Sequence, residues 1–190
     1  MSDILSDIVS NPVSPWVRRY APLIPGGEVL DLACGSGRHS RHLAALGHAV
    51  VAVDRDSEAL AVAAGPEITT TEIDLELEGA AWPFGPQRFA GIVVTNYLHR
   101  PLIGDMLASL APNGVLLYET FADGNAQFGK PSNPAFLLRP GELLEWARSH
   151  GLRVVAFEDG VTDTPKAAMV QRLCAVKPDF PRVAALLPPF

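Results

Sequence analysis

Two aspartates and two glycines in the first third of the chain have the spacing of a nucleoside site. The run Val29-Leu-Asp31-Leu-Ala33-Cys34-Gly35-Ser-Gly37 passes from an apolar stretch into a tight turn, and Asp54 lies 19 residues beyond Gly35. Small residues at 33, 34, 35 and 37 let a ligand come close to the backbone, and glycine permits positive φ at the bend. An acidic side chain about 20 residues past such a turn is placed to bind ribose hydroxyls. A dinucleotide turn needs a third glycine or alanine where this chain has Ser40. Asp31, inside an otherwise apolar run, needs a donor, either turn amides or a cationic ligand group. Together these features suit a cationic nucleoside carrying an amino-acid tail.

A second set of chemistry-bearing residues lies further along. In Asn96-Tyr97-Leu98-His99-Arg100, His99 reads as a general base or polariser, since imidazole titrates near neutrality. It reads equally as a histidine bonded to backbone near the next helix. Tyr97 either walls a ligand or packs in the core, and Arg100 either binds an anionic substrate or forms a structural ion pair. From Phe121 to Arg139 the chain has no periodicity, but Phe128, Lys130 and Asn133 in it, after Glu119, suit an ordered lid over a substrate. Trp16, Arg19 and Tyr20 form an N-terminal group that either covers the site or packs as a satellite cluster.

The elements needed to hold these residues follow from the apolar pattern. Strands are expected at 28–33, 49–53, 67–73, 89–95 and 115–119, alternating with helices at 38–46, 57–64, 102–110 and 140–150. Strands at 152–157 and 169–176 should close the sheet as an antiparallel pair through a loop at 158–168. Ser14 caps a short helix that begins at Pro15. Such alternation builds a parallel sheet covered on both faces, with ligands beyond the carboxyl ends of the strands. A single domain is expected over 1–190, with a helical cap at 1–27, a core at 28–178 and a tail at 179–190.

Composition narrows the partners. The 190 residues carry a formal net charge of −6, with 15 Lys and Arg scattered along the chain, which disfavours nucleic acid. Two cysteines, without a CxxC pair, point to a reducing cytoplasm and no metal site. No signal peptide or membrane span is expected.

Over about residues 15–178 the sequence resembles the class I S-adenosylmethionine-dependent methyltransferases. Their D/E-x-x-x-G-x-G turn corresponds to Asp31 through Gly37, "ITTTEIDLE" to their third-strand end, and "WPFGPQRFAGIVVTN" to their L-P-F…F-D-x-V-x segment. Ala90 stands where an acidic residue is common. "NYLHRP" and the segment after Glu119 are similar to the tellurite-resistance methyltransferase subgroup. The resemblance implies a Rossmann-like, doubly wound α/β fold with a mostly parallel seven-stranded sheet and an antiparallel last strand. It implies S-adenosylmethionine as cofactor and direct in-line methyl transfer to a small-molecule acceptor. Asp54 and Arg55 would lie at the ribose, Asp74 and Leu75 at the adenine, and Asp31, Ala33, Cys34, Gly35, Gly37, Asn96 and Arg19 around the methionine part. Acceptor contacts would come from Trp16, Tyr20, Arg100, Glu119, Phe128, Lys130 and Asn133, with His99 and Tyr97 at the reacting atoms. Three alternatives are weaker: an RNA or protein methyltransferase, an NAD-dependent oxidoreductase, and a non-catalytic cofactor-binding protein.

Overall fold

The computed structural model describes residues 12–185. Residues 1–11 and 186–190, the outer parts of the expected cap and tail, lie outside that range. Among the described residues there are seven strands: β1 Val29–Leu32, β2 Val50–Asp54, β3 Ile68–Glu72, β4 Phe89–Thr95, β5 Leu110–Phe121, β6 Arg153–Thr162 and β7 Ala168–Val176. Five α-helices accompany them in the same range: α1 Pro15–Tyr20, α2 Arg38–Ala45, α3 Ser57–Ala63, α4 Ile103–Ala108 and α5 Glu142–Ser149.

The sheet runs β3-β2-β1-β4-β5-β7-β6. Strands β1 to β5 pair in parallel, and β7 is antiparallel to both β5 and β6. Alternate residues of each central strand enter opposite cores, as the strand period of two requires. Leu30, Leu32, Val51, Val53 and Val94 pack with Met106 and Leu107 of α4 and Leu143 of α5. Val29, Val50, Val93 and Leu117 pack with Trp16, Val17 and Tyr20 of α1 and Leu43 of α2. Burial on both faces explains the continuous apolar runs of these strands. The direction of winding reverses between β1 and β4, which opens a crevice at their carboxyl ends.

Two strands extend beyond the lengths expected from sequence. Strand β5 begins at Leu110, pairs with Phe89, and rejoins β4 at Val115 opposite Gly91. Pro112-Asn113-Gly114 is thus a bulge inside the strand, where Asn113 has φ +58°. Strand β6 continues to Thr162 along β7. It is an edge strand, so its polar residues Glu158 and Asp159 face solvent and resemble a loop in sequence. No helix among the described residues is long and apolar enough to cross a membrane.

Candidate functional site

The carboxyl ends of β1, β2 and β4 and the segment after β3 surround a cavity of about 110 Å³, lined by Ala33, Asp54, Arg55, Asp74, Leu75 and Tyr97 among others. Asp54 organises it. One carboxylate oxygen accepts the Gly35 amide at 2.8 Å and the other accepts the Asp56 amide at 3.1 Å. The end of β2 therefore holds the turn after β1, and the carboxylate keeps lone pairs for a ligand's hydroxyls. Leu32, Val53, Ile73 and Leu75 form apolar walls beside it. Asp74 turns the chain by accepting the Glu76 amide at 3.0 Å. Glu76 lies 3.7 Å from the Arg55 guanidinium; Glu76 and Ile73 both line the cavity without a motif position in the sequence to mark them.

The two glycines of the turn differ in role. A Cβ on Gly35, where φ is +52°, would meet nothing within 4 Å, so open space lies against its backbone. A Cβ on Gly37 would come 2.6 Å from Cβ of Ala63. Gly37 thus lets α2 approach α3, and its left-handed φ of +75° starts α2. Ala33 and Asn96 are also left-handed, at φ +55° and +56°, at the exits of β1 and β4. Such strain at two neighbouring strand ends marks a ligand site.

Asp31 finds its donor inside the protein. It is 1 % exposed, and its carboxylate accepts the Ser40 hydroxyl at 2.6 Å. Burial pushes its pKa up to about 6, against the opposing Ser40 hydrogen bonds. Ser40, at the missing third-glycine position, is therefore the partner of the first-strand aspartate. Cys34 is buried beside it and burial pushes its thiol well above the usual range, so it is inert.

A larger cavity of about 300 Å³ lies beyond β4 and β5, lined in part by Ser14, Arg18, Arg38, Asn96, Glu119, Phe121, Phe128 and Lys130. Asn96 and Tyr97, consecutive residues, line the larger and the smaller cavity respectively. Their turn is fixed from β5, since Asn96 donates its amide to the Glu119 carbonyl at 2.9 Å and the Tyr118 hydroxyl donates to the Tyr97 carbonyl at 2.8 Å. Burial, then the nearby Glu76 and Asp74 carboxylates, push the Tyr97 phenol well above its ordinary range. Tyr97 thus stands in the wall of the smaller cavity with its hydroxyl protonated. Glu119 accepts Ser14 Oγ at 3.0 Å and Arg172 Nε at 2.8 Å, which pins the N-terminal segment over the sheet.

Several residues singled out in the sequence have other work. His99 is half-buried at the start of the 3-10 turn Arg100–Leu102 and lines neither cavity. Arg100 makes paired bonds to Glu142 at 2.7 and 2.9 Å and donates to the Ala135 and Leu137 carbonyls at 2.8 Å. Four of its five N–H donors are taken by these bonds, so it acts as a clamp on the lid. Asn133 caps the turn Pro134–Phe136. Trp16, 4 % exposed, donates to the Leu173 carbonyl and packs on Tyr20, so both are core residues. The face that α1 buries carries Trp16, Val17 and Tyr20, which leaves Arg18 at the larger cavity, whereas Arg19 lies over the Tyr20 ring. The lid is ordered by Asn125, which spans the Pro131 carbonyl and the Met169 amide at 2.9 and 3.0 Å.

The chemistry of the smaller cavity, with a carboxylate for vicinal hydroxyls, apolar walls for a flat ring and open space at Gly35, fits an adenosine cofactor. Residues 29–114 match the family model described as a methyltransferase domain. The chain is 31 % identical to the ubiquinone biosynthesis O-methyltransferase of Burkholderia orbicola (strain MC0-3), over 82 % of this chain and 76 % of that protein. Among solved structures, an S-adenosylmethionine-dependent methyltransferase from Mesorhizobium loti is similar with a TM-score of 0.70 at 18 % identity, covering 90 % of this chain and 100 % of that one. TehB from Haemophilus influenzae has a TM-score of 0.66 at 20 % identity, over 90 % of this chain and 62 % of that chain. With the Burkholderia relative and this sheet, the chain belongs to the S-adenosylmethionine-dependent methyltransferases and takes S-adenosylmethionine as its cofactor.

Proposed function

We propose that the chain methylates a small molecule held in the larger cavity, with the cofactor in the smaller one. The observation that carries this reading is the shared wall: adjacent residues Asn96 and Tyr97 face the two spaces. When bound, S-adenosylmethionine supplies a methyl group on a sulfonium, which needs little covalent help from the protein. The chain's own residues then have to hold and orient. Asp54, already aimed by the Gly35 and Asp56 amides, takes the ribose hydroxyls. Asp74 and Leu75 take the adenine, and the backbone at Ala33 and Gly35 takes the amino-acid part. Tyr97, protonated throughout the neutral range, closes the wall without removing a proton. Phe121 and Phe128 exclude water from the acceptor and hold it in line with the methyl group.

The net charge of −6 argues against a nucleic-acid acceptor. The name of the Burkholderia relatives makes an oxygen nucleophile the first class to test. Calorimetric titration with S-adenosylmethionine, S-adenosylhomocysteine and NAD tests the cofactor half. The first two should bind, and Asp54→Ala should weaken them by roughly 1.5–3 kcal/mol, the range for a charge-assisted hydrogen bond. Unchanged affinity in that variant removes Asp54 from the ribose. Transfer of a labelled methyl group into phenols and hydroxy acids, compared with RNA and protein, tests the acceptor half. Label found in RNA or protein alone would overturn the small-molecule reading.

A further inference from the structure

The larger cavity differs in charge from the rest of the molecule. The chain carries a net charge of −6, yet this lining includes the cations Arg18, Arg38, Lys130, Lys166 and Arg172 against one carboxylate, Glu119. Arg172 is balanced within the fold, by Glu119 at 2.8 Å and Glu158 at 2.9 Å. Lys130 and Lys166 are not. Among the described residues no carboxylate lies within ion-pair distance of either. They come from separate segments, the lid after β5 and the β6–β7 turn. The Lys166 ammonium lies 3.8 Å from the place a Cβ on Gly129 would take, next to Lys130 in the chain. Like charges lining one cavity repel each other and attract anions into it. Phe121, Phe128 and Val170 of the same lining add an apolar wall.

We infer that the acceptor is a small organic anion. Its charged head lies between Lys130 and Lys166, and its apolar part lies against Phe121 and Phe128. The inference rests on the reading of the larger cavity as the acceptor site. Neither lysine lines the smaller cavity, so this charge pair serves the acceptor rather than the cofactor. A neutral acceptor of the same shape would gain nothing from the charge of the two ammonium groups. The nucleophile then lies at the other end of the molecule from its anionic head, towards Asn96.

The test is calorimetry on the full chain saturated with S-adenosylhomocysteine. Two anions, 2-naphthoate and 2-naphthyl phosphate, are compared with the neutral 2-naphthamide. The anions should bind about tenfold more tightly than the amide at low salt, a gap of about 1.4 kcal/mol. That preference should shrink at high salt. The double variant Lys130→Met/Lys166→Met should abolish it and leave S-adenosylhomocysteine affinity unchanged, and since both lysines are exposed the fold is not at risk. Equal affinity for the three probes, binding of none, or a preference that survives the double variant overturns the inference. Binding of S-adenosylhomocysteine to the wild-type chain is measured first. Its absence counts against the cofactor reading, whereas its presence without an anion preference counts against this inference alone.

Discussion

Gly35 and Gly37 sit two positions apart and carry different loads. At Gly35 an alanine meets only open space, so its stability cost is the left-handed backbone alone, about 1–2 kcal/mol. The added methyl fills the side on which a cofactor approaches. Gly35→Ala should therefore fold and lose cofactor affinity. Gly37→Ala adds a collision with Ala63 and should cost roughly 2–5 kcal/mol in a urea titration. The buried Asp31 gives a pH signature. Its folded pKa of about 6 exceeds the ordinary 3.8, so the native state holds this proton more tightly than the unfolded chain. The stabilisation is full below 3.8 and is lost as pH rises through 6. Asp31→Asn can still accept from Ser40 and has no charge to bury. Its stability relative to wild type should rise by roughly 2.5 kcal/mol between pH 4 and pH 8. Urea midpoints that move in parallel for the two proteins would refute this.

Among the elements, the lid and α1 are each tied to the sheet by a buried polar side chain that titration or substitution can probe. Glu142, 1 % exposed, is held below the usual carboxylate range despite its burial, because Arg100 and the Arg139 backbone bond to it. Removing Arg100 leaves that charge buried, so Arg100→Met should cost about 3–5 kcal/mol. Adding Glu142→Gln should restore much of the loss, a pattern that a double-mutant cycle reads directly. Helix α1 is joined to the β4 exit by His39. Its Nε2 accepts the Ser14 amide at 3.2 Å, so Nδ1 carries the proton and donates to Thr95 Oγ1 at 3.3 Å. Burial, with Arg38 and His42 nearby, pushes its pKa down from 6.5 to about 3. A depressed histidine contributes stability above its unfolded pKa and loses it as pH falls. His39 should cost roughly 2 kcal/mol by pH 5. Amides 14–20 should exchange faster at pH 5 than at pH 7 after correction for the intrinsic rate. In His39→Gln that difference should vanish.

For the whole molecule, the cofactor cavity is assembled from four separate stretches of chain that only the folded state brings together. A ligand of that cavity must stabilise the entire sheet. S-adenosylhomocysteine at 100 times its Kd should add about 2.7 kcal/mol to the unfolding free energy. For a domain of this size that raises Tm by about 5–10 °C. NAD at the same concentration should leave Tm where it was, and a thermal scan with both ligands separates the two outcomes.

Much of this protein was legible in its residue order. Continuous apolar runs with glycine and proline between them set the central strands, since a sheet buried on both faces requires such runs. The spacing of Asp31, Gly35 and Asp54 placed the cofactor turn, because neighbouring parallel strands bring their ends together at a constant offset. The antiparallel closing pair was also apparent, from the missing helix between β6 and β7. Partnership was decided elsewhere. Ser40 bonding Asp31, Gly37 fitting Ala63 and Arg100 holding Glu142 are contacts between positions whose distance in the chain carries no information. The same holds for His99, which stands two residues beyond Tyr97 yet lines neither cavity. The cationic lining of the larger cavity was only half legible. Lys130 stands out in the sequence as a lid residue, but Lys166 does not, and only the packing of the lid against the β6–β7 turn brings both to one cavity.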